Sequence, residues 1–205
     1  MKILLLVPEF GDETIFKNMI DVVNEEKLEI LLPTLLLLLP LCVSAASDGG
    51  EDYYRNPVID ISLPDPTVIR SEDGWFYLYA TENTRNVPIY RSRDLVDWSF
   101  VGTAFTDESR PQWNPRAAIW APDINFIDGR YVLYYAKSTW GGEWECGIGV
   151  ATADSPEGPF TDHGSIIISR ETGTQNSIDP DFVEEGGRRY LVWGSFRGIW
   201  RIELS

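Results

Sequence analysis

Residues Asp179-Pro180-Asp181-Phe182-Val183-Glu184-Glu185-Gly186-Gly187-Arg188-Arg189-Tyr190-Leu191-Val192-Trp193-Gly194 decide the fold. A carboxylate leads into a short apolar run, then a charged turn with glycine, then an aromatic strand. The same order follows Asp123, through Gly129, to Arg130-Tyr131-Val132-Leu133-Tyr134-Tyr135. It also follows Asp65, through Gly74, to Trp75-Phe76-Tyr77-Leu78-Tyr79-Ala80. Asp65, Asp123 and Asp179 stand 58 and then 56 residues apart. A fixed period of this length, built from strands, is the mark of stacked β-units.

Working outward, no stretch after residue 50 keeps an apolar 3.6-residue period for three turns. Short aromatic and β-branched runs instead alternate with Gly, Pro, Asp and Asn, which predicts an all-β sandwich, barrel or propeller. The first repeat divides into strands at Thr67–Arg70, Trp75–Thr81, Val87–Arg91 and Trp98–Phe105. The second divides into Ile124–Ile127, Tyr131–Lys137, Gly147–Thr152 and Phe160–Ile168. The third gives Phe182–Glu184, Tyr190–Ser195 and Ile199–Leu204. Four antiparallel strands make one propeller blade, so two full blades and three strands of another are expected. Propellers close with about four blades or more, so the expectation is an incomplete propeller. The turns Asp97-Trp98 and Gly158-Pro159-Phe160 occupy equivalent places, and their aromatics are expected to pack between blades.

Upstream, Ile30–Val43 is nearly unbroken apolar sequence, shorter than the ~18 residues expected of a membrane span. It runs into Val43-Ser44-Ala45-Ala46 and then Ser47-Asp48-Gly49-Gly50, the ending of a secretory signal peptide. Glu25, Glu26 and Glu29 around Lys27 are unusual for such a leader, so Met19 is an alternative start. The expected organisation is an extension plus signal peptide over 1–46, a linker over 47–57 and the β-unit over 58–205. The expected location is secreted or periplasmic. Without residues 1–46, Lys plus Arg falls from 17 to 14 and Asp plus Glu from 32 to 25, leaving −11. So acidic a chain argues against nucleic acid or an anionic membrane surface as partner. Cys146 is then the one remaining cysteine and reads as a small buried hydrophobe. His163 lies in Thr161-Asp162-His163-Gly164, which reads as a turn and not as a catalytic relay.

Residues heading the innermost strands of a propeller converge on one end of its axis. Carboxylates gathered there raise one another's pKa, and paired carboxylates with separated pKa values suit acid/base hydrolysis of a glycosidic bond. The alternative is that each aspartate caps its turn, since Asp beside Pro is a favoured turn residue. Asp60 and Asp181, close by, read as turn or solvent-facing carboxylates.

The segments Leu63–Ile69, Ile119–Ile124, Gly147–Ala153, Asn176–Phe182 and Trp193–Ile199, taken in order, resemble glycoside hydrolase family 43. These are five-bladed propeller enzymes of hemicellulose and pectin breakdown. The resemblance runs from about Asn56 to Ser205 and matches the first half or so of the family's propeller. It implies that Asp65 is the general base and that Asp179 orients the general acid and raises its pKa. It implies a substrate-binding place for Asp123. The family's acid, a glutamate from a later blade, is expected beyond Ser205; Glu203 reads as an ordinary strand residue. No cofactor is expected, and a structural calcium is implied by the resemblance alone.

Among eight tryptophans, Trp75, Trp98 and Trp193 are expected in the core. Trp120, beside Asp123, and Trp140, in the loop Ser138-Thr139-Trp140-Gly141-Gly142-Glu143-Trp144, are candidate sugar-stacking residues. Such a long aromatic, Gly-rich loop suits the rim of a cleft. The implied reaction is inverting cleavage of arabinan or arabinose-bearing plant cell-wall polysaccharide. A β-xylosidase of the same family and a non-catalytic carbohydrate-binding propeller fragment are the alternatives.

Overall fold

The structure is a computed structural model that describes residues 54–204. The expected leader and most of the linker lie outside the described residues. Eleven strands form three antiparallel sheets. Blade one holds β1 (Thr67–Arg70), β2 (Phe76–Tyr79), β3 (Pro88–Ser92) and β4 (Ser99–Thr103), in that spatial order. Blade two holds β5 (Ala118–Ile127), β6 (Arg130–Ser138), β7 (Gly147–Ala153) and β8 (Thr161–Ile168). Blade three holds β9 (Asp181–Glu185), β10 (Arg188–Ser195) and β11 (Gly198–Leu204), paired in sequence order. These are the three repeats, with boundaries shifted by a few residues.

Two local expectations need correction. Ser169–Thr172 forms a single helical turn, α1, closed by Gly173 at φ 72°, so the region is not wholly strand and loop. His163 lies within β8, where its Nε2 meets Thr152 Oγ1 at 2.8 Å, not in a turn. The cross-strand hydroxyl gives the exposed imidazole a structural place.

Side-chain alternation on β6 explains how the blades adhere, because successive strand residues point to opposite faces. Tyr131, Leu133 and Tyr135 enter a core with Tyr77, Tyr79, Val87, Ile89 and Phe105 of blade one. Tyr134, on the opposite face, joins Phe182, Leu191 and Trp193 of blade three. Its ring stacks on Phe182 with centroids 6.1 Å apart and planes 8° apart. Phe160 packs edge-on against Tyr79 at 6.1 Å, so this turn aromatic does sit between blades. Trp193 is buried. Trp75 is only half-buried, held between the Arg91 and Arg93 guanidiniums at 4.7 and 4.3 Å. Trp98 is also half-buried, its indole N–H donating to the Leu95 carbonyl.

Polar groups reinforce the first junction. Arg110 clamps Glu82 through both guanidinium ends, and Asn86 and the Ala117 carbonyl take further hydrogen bonds. Lys137, on the same face of β6 as Tyr135, is fully buried and donates to the Pro111 carbonyl at 2.6 Å. Burial pushes its ammonium down to about 8, and the Arg110 charge adds to that.

Candidate functional site

In an antiparallel sheet the starts of odd strands and the ends of even strands share one end. Asp65 precedes β1 and Asp179 precedes β9, so both occupy that end of their blades, the first and the third. Each chain approach is pinned alike. Thr81 N–H donates to the Pro64 carbonyl at 2.9 Å, and Gly194 N–H donates to the Ile178 carbonyl at 2.8 Å. Asp65 and Asp179 both adopt left-handed backbone, with φ of 49° and 55°. Both precede proline, and such conformations in non-glycine residues cluster at functional sites.

Val87, before Pro88, shares this conformation with φ 66°, but at the place in blade two that matches Asp65 and Asp179 the residue is not Asp123. Ala121, before Pro122, has φ 41°. Asp123 lies two residues further on and pairs with Tyr134 inside β5, as Asp181 pairs with Val192 inside β9. The structural repeat therefore runs Asp65, Ala121, Asp179. The recurring aspartates are equivalent in blades one and three only.

The consequences are chemical. Asp123 is 5% exposed, and its Oδ2 accepts from Asn125 Nδ2 at 2.8 Å and from the Phe182 N–H at 2.7 Å. It thus ties β5 to β9, across the second blade junction. Asp65 is exposed and its Oδ2 accepts from Thr81 Oγ1 at 2.6 Å. Thr81 Oγ1 in turn accepts the Ala121 N–H at 2.7 Å. The left-handed turn at Ala121 aims that N–H across to blade one, so blade two steadies the Asp65 carboxylate through Thr81. Asp179 has an exposed edge but is crowded by protein on its other sides. That desolvation pushes its carboxyl up to about 6, and the like charge of Asp65 adds to the shift.

Of the residues read from sequence, the structure thus sets Asp65 and Asp179 at the same end of blades one and three, where the Asp65 charge adds to the upward push on Asp179, and ties Asp123 into the β5–β9 junction. Trp120 and Trp140 meet, with ring centroids 5.5 Å apart and planes at 53°. Trp140 is 94% exposed, and Trp120 directly precedes Ala121. The loop carrying Trp140 is anchored to blade three. Glu143 accepts from Arg197 Nε at 2.9 Å and from Gln175, and the Glu143 carbonyl accepts the Asn176 N–H. Burial pushes the Cys146 thiol up, so it is a poor nucleophile. Glu203 is exposed and faces Arg188. Among the described residues no three His, Cys, Asp or Glu side chains gather as a metal cage.

Sequence reading missed Thr81 and Ala121. A signal for each was present. Thr81 follows Asp65 by 16 residues, and Ser195 follows Asp179 by the same interval. Ala121-Pro122 matches Asp65-Pro66 and Asp179-Pro180 once the repeats are aligned on proline.

Comparisons with known proteins agree with this architecture. Residues 54–205 match the family model of glycosyl hydrolases family 43. An Aspergillus niger arabinan endo-1,5-alpha-L-arabinosidase A is 38% identical over 137 residues, covering 64% of this chain and 41% of that protein. A probable arabinan endo-1,5-alpha-L-arabinosidase C of the same species is 34% identical over 179 residues, covering 85% and 54%. A solved alpha-L-arabinanase of Cellvibrio cellulosa superposes with a TM-score of 0.63 at 30% identity, covering 71% of this chain and 49% of that one. The same enzyme has been solved with arabinohexaose bound. The chain spans about half the length of the relatives it matches.

Proposed function

From the premise that this chain belongs to glycosyl hydrolases family 43, we propose that it forms part of an inverting glycosidase acting on α-1,5-arabinan. The observation that carries this reading is the Asp65–Asp179 pair: two left-handed, pre-proline carboxylates at the same end of blades one and three, with burial and the charge of Asp65 pushing the Asp179 carboxyl up to about 6. Asp65, hydrogen-bonded by Thr81, takes a proton from the attacking water as its oxygen bonds to the anomeric carbon. The bond to the leaving sugar oxygen breaks, and that oxygen takes a proton from a general acid. Inversion needs base and acid far enough apart to admit the water. No residue of this sequence is assigned the acid's role. Asp179, its carboxyl pushed up to about 6 by burial and by the charge of Asp65, orients that acid and keeps its pKa high. Trp120 and Trp140 offer indole faces to sugar rings, while Asp123 holds the strand beneath Trp120 against blade three.

The similarity to endo-1,5-arabinosidases supports arabinan over xylan. The substrate is accordingly a plant cell-wall polysaccharide, met outside the cell after secretion through the leader ending near Ala45/Ala46. Hydrolysis by two carboxylates and water requires no cofactor. The test is reducing-sugar release from linear arabinan and from xylo-oligosaccharides by a protein in which this sequence continues through further blades. Arabinan should be cleaved, and Asp65→Asn should lower kcat by ~10²–10⁴-fold. Preferential cleavage of xylo-oligosaccharides would transfer the assignment to β-xylosidase. Cleavage of neither would leave a binding module.

A further inference from the structure

One cleft shares no lining residue with Asp65, Asp179, Trp120 or Trp140. It measures about 260 Å³ and is lined by Trp113, Asn114, Trp144, Glu145, Ile168, Arg170 and Glu171. Trp113 and Asn114 belong to the β4–β5 connection, Trp144 and Glu145 to the β6–β7 loop, and Ile168 and Arg170 to the end of β8 and α1. By strand alternation, all three segments emerge at the same end of the blades as Asp65 and Asp179. The β6–β7 loop thus carries both Trp140, packed beside Trp120, and Trp144, in the cleft.

The cleft is built, not incidental. The Trp113 indole N–H donates to Tyr135 Oη at 3.0 Å and Lys137 Nζ lies 5.8 Å from its ring, which fixes the ring's orientation. Asn114 Nδ2 donates to the Glu145 carbonyl at 2.8 Å. Ser169 N–H donates to the Cys146 carbonyl at 3.0 Å, locking the β6–β7 loop to α1. Arg170 pairs with Glu145 across the opening. Walls held in place before binding reduce the ordering cost that a ligand meets.

The lining also selects a chemical class. Indole rings present a large apolar face with one polar edge, matching the C–H face and hydroxyl rim of a sugar. Trp144 is 41% exposed. Asn114 Oδ1 and the remaining groups of Arg170 and Glu145 supply acceptors and donors around the opening. A mostly apolar wall with a few converging polar groups is the pattern of a small-ligand site. The guanidinium is already matched by a carboxylate, and the chain carries −15 overall. Neutral sugar fits this lining and polyanionic pectate does not.

We propose that this cleft is a second sugar-binding site, where Trp144 and Trp113 stack a neutral pentose stretch of the polysaccharide while Asn114, Glu145 and Arg170 bond its hydroxyls. The choice of pentose rests on the arabinan reading of the mouth; the existence of the site rests on the cleft. It would keep the enzyme on a chain between cleavages at the mouth.

Indole N–H resonances of the eight tryptophans, each assigned by single substitution, separate the two sites in the 205-residue chain. Titration with α-1,5-linked arabinohexaose should move Trp144 and Trp113 with their own saturation curve. Trp144→Ala should weaken the Trp113 response by ~10-fold or more and leave Trp120 and Trp140 responding. Polygalacturonate oligomers should move neither cleft signal. Still signals at Trp144 and Trp113, with moving ones at Trp120 and Trp140, overturn the cleft and spare the mouth. The converse spares the cleft and sinks the mouth. If no indole signal moves, both readings fall.

Discussion

Glu82 and Asp179 are both carboxylates crowded by protein, yet their surroundings drive them in opposite directions. Burial pushes each one up. At Glu82, which is 8% exposed, hydrogen bonds from Arg110 and from backbone at Ile119 and Asn86 outweigh burial, and the carboxyl ends below its usual range. At Asp179 the charged neighbour is Asp65, so burial and repulsion add and the carboxyl rises to about 6. The two lie at one end of the same unit but serve different ends. A compensated charge fastens blade one to blade two. An uncompensated like-charge pair costs stability and lifts one carboxyl's pKa.

Replacing Glu82 by Gln is the largest perturbation of this contrast. It leaves the Arg110 charge buried without a counter-ion, and urea unfolding should show a loss of ~3–5 kcal/mol. Paired replacement of Glu82 and Arg110 by Leu should cost much less, because no charge is stranded. Equal losses in both variants would mean that packing, not charge compensation, holds the junction. In the wild type this contribution is present above the ordinary carboxylate range and is lost as pH falls through the lowered Glu82 value.

Thr81→Val tests the bridge between the two regions. The substitution keeps the shape but strands the Ala121 N–H and removes the donor to Asp65, a loss of ~0.5–1.5 kcal/mol, the net worth of a hydrogen bond that water partly reaches. Thr81→Ser should keep most of the stability, and a Ser variant as weak as Val would show that the methyl group matters more than the hydroxyl.

Asp179→Asn should have the smallest effect and the opposite sign. Folded Asp179 holds its proton between the ordinary value of ~3.9 and about 6, so wild-type stability falls as pH rises through that window. The Asn variant does not titrate there. Its melting temperature should exceed that of the wild type by ~2–4 °C at pH 7.5, a modest gain because water screens the mouth. At pH 4 the two should coincide. A gain equal at both pH values would trace to something other than the carboxylate's charge.

Much of the fold was legible before any coordinates. The aromatic strands Trp75–Ala80, Arg130–Tyr135 and Arg189–Gly194 all appear, because period-two alternation and glycine turns act locally. The blade-to-blade packing of Phe160 was legible for the same reason. The short turn α1 was not, since four residues carry no helical period. The half-burial of Trp75 was not, because two arginines from a neighbouring strand and turn cover its faces. Of the proposed site, residue type and place in the repeat singled out Asp65 and Asp179, and the structure adds that both share left-handed, pre-proline backbone.

The sequence by itself determined the repeat, the strand order and the family, since each depends on residues within one ~57-residue unit or on the order of such units. Only the tertiary structure decided which aspartates are partners. Counting carboxylates aligned Asp123 with Asp65 and Asp179, whereas backbone conformation aligned Ala121 with them and sent Asp123 into the junction beneath Phe182. The physical reason is that the sign of φ at a pre-proline turn, and the burial that lifts one carboxyl beside another, are set by contacts between blades that no single repeat contains.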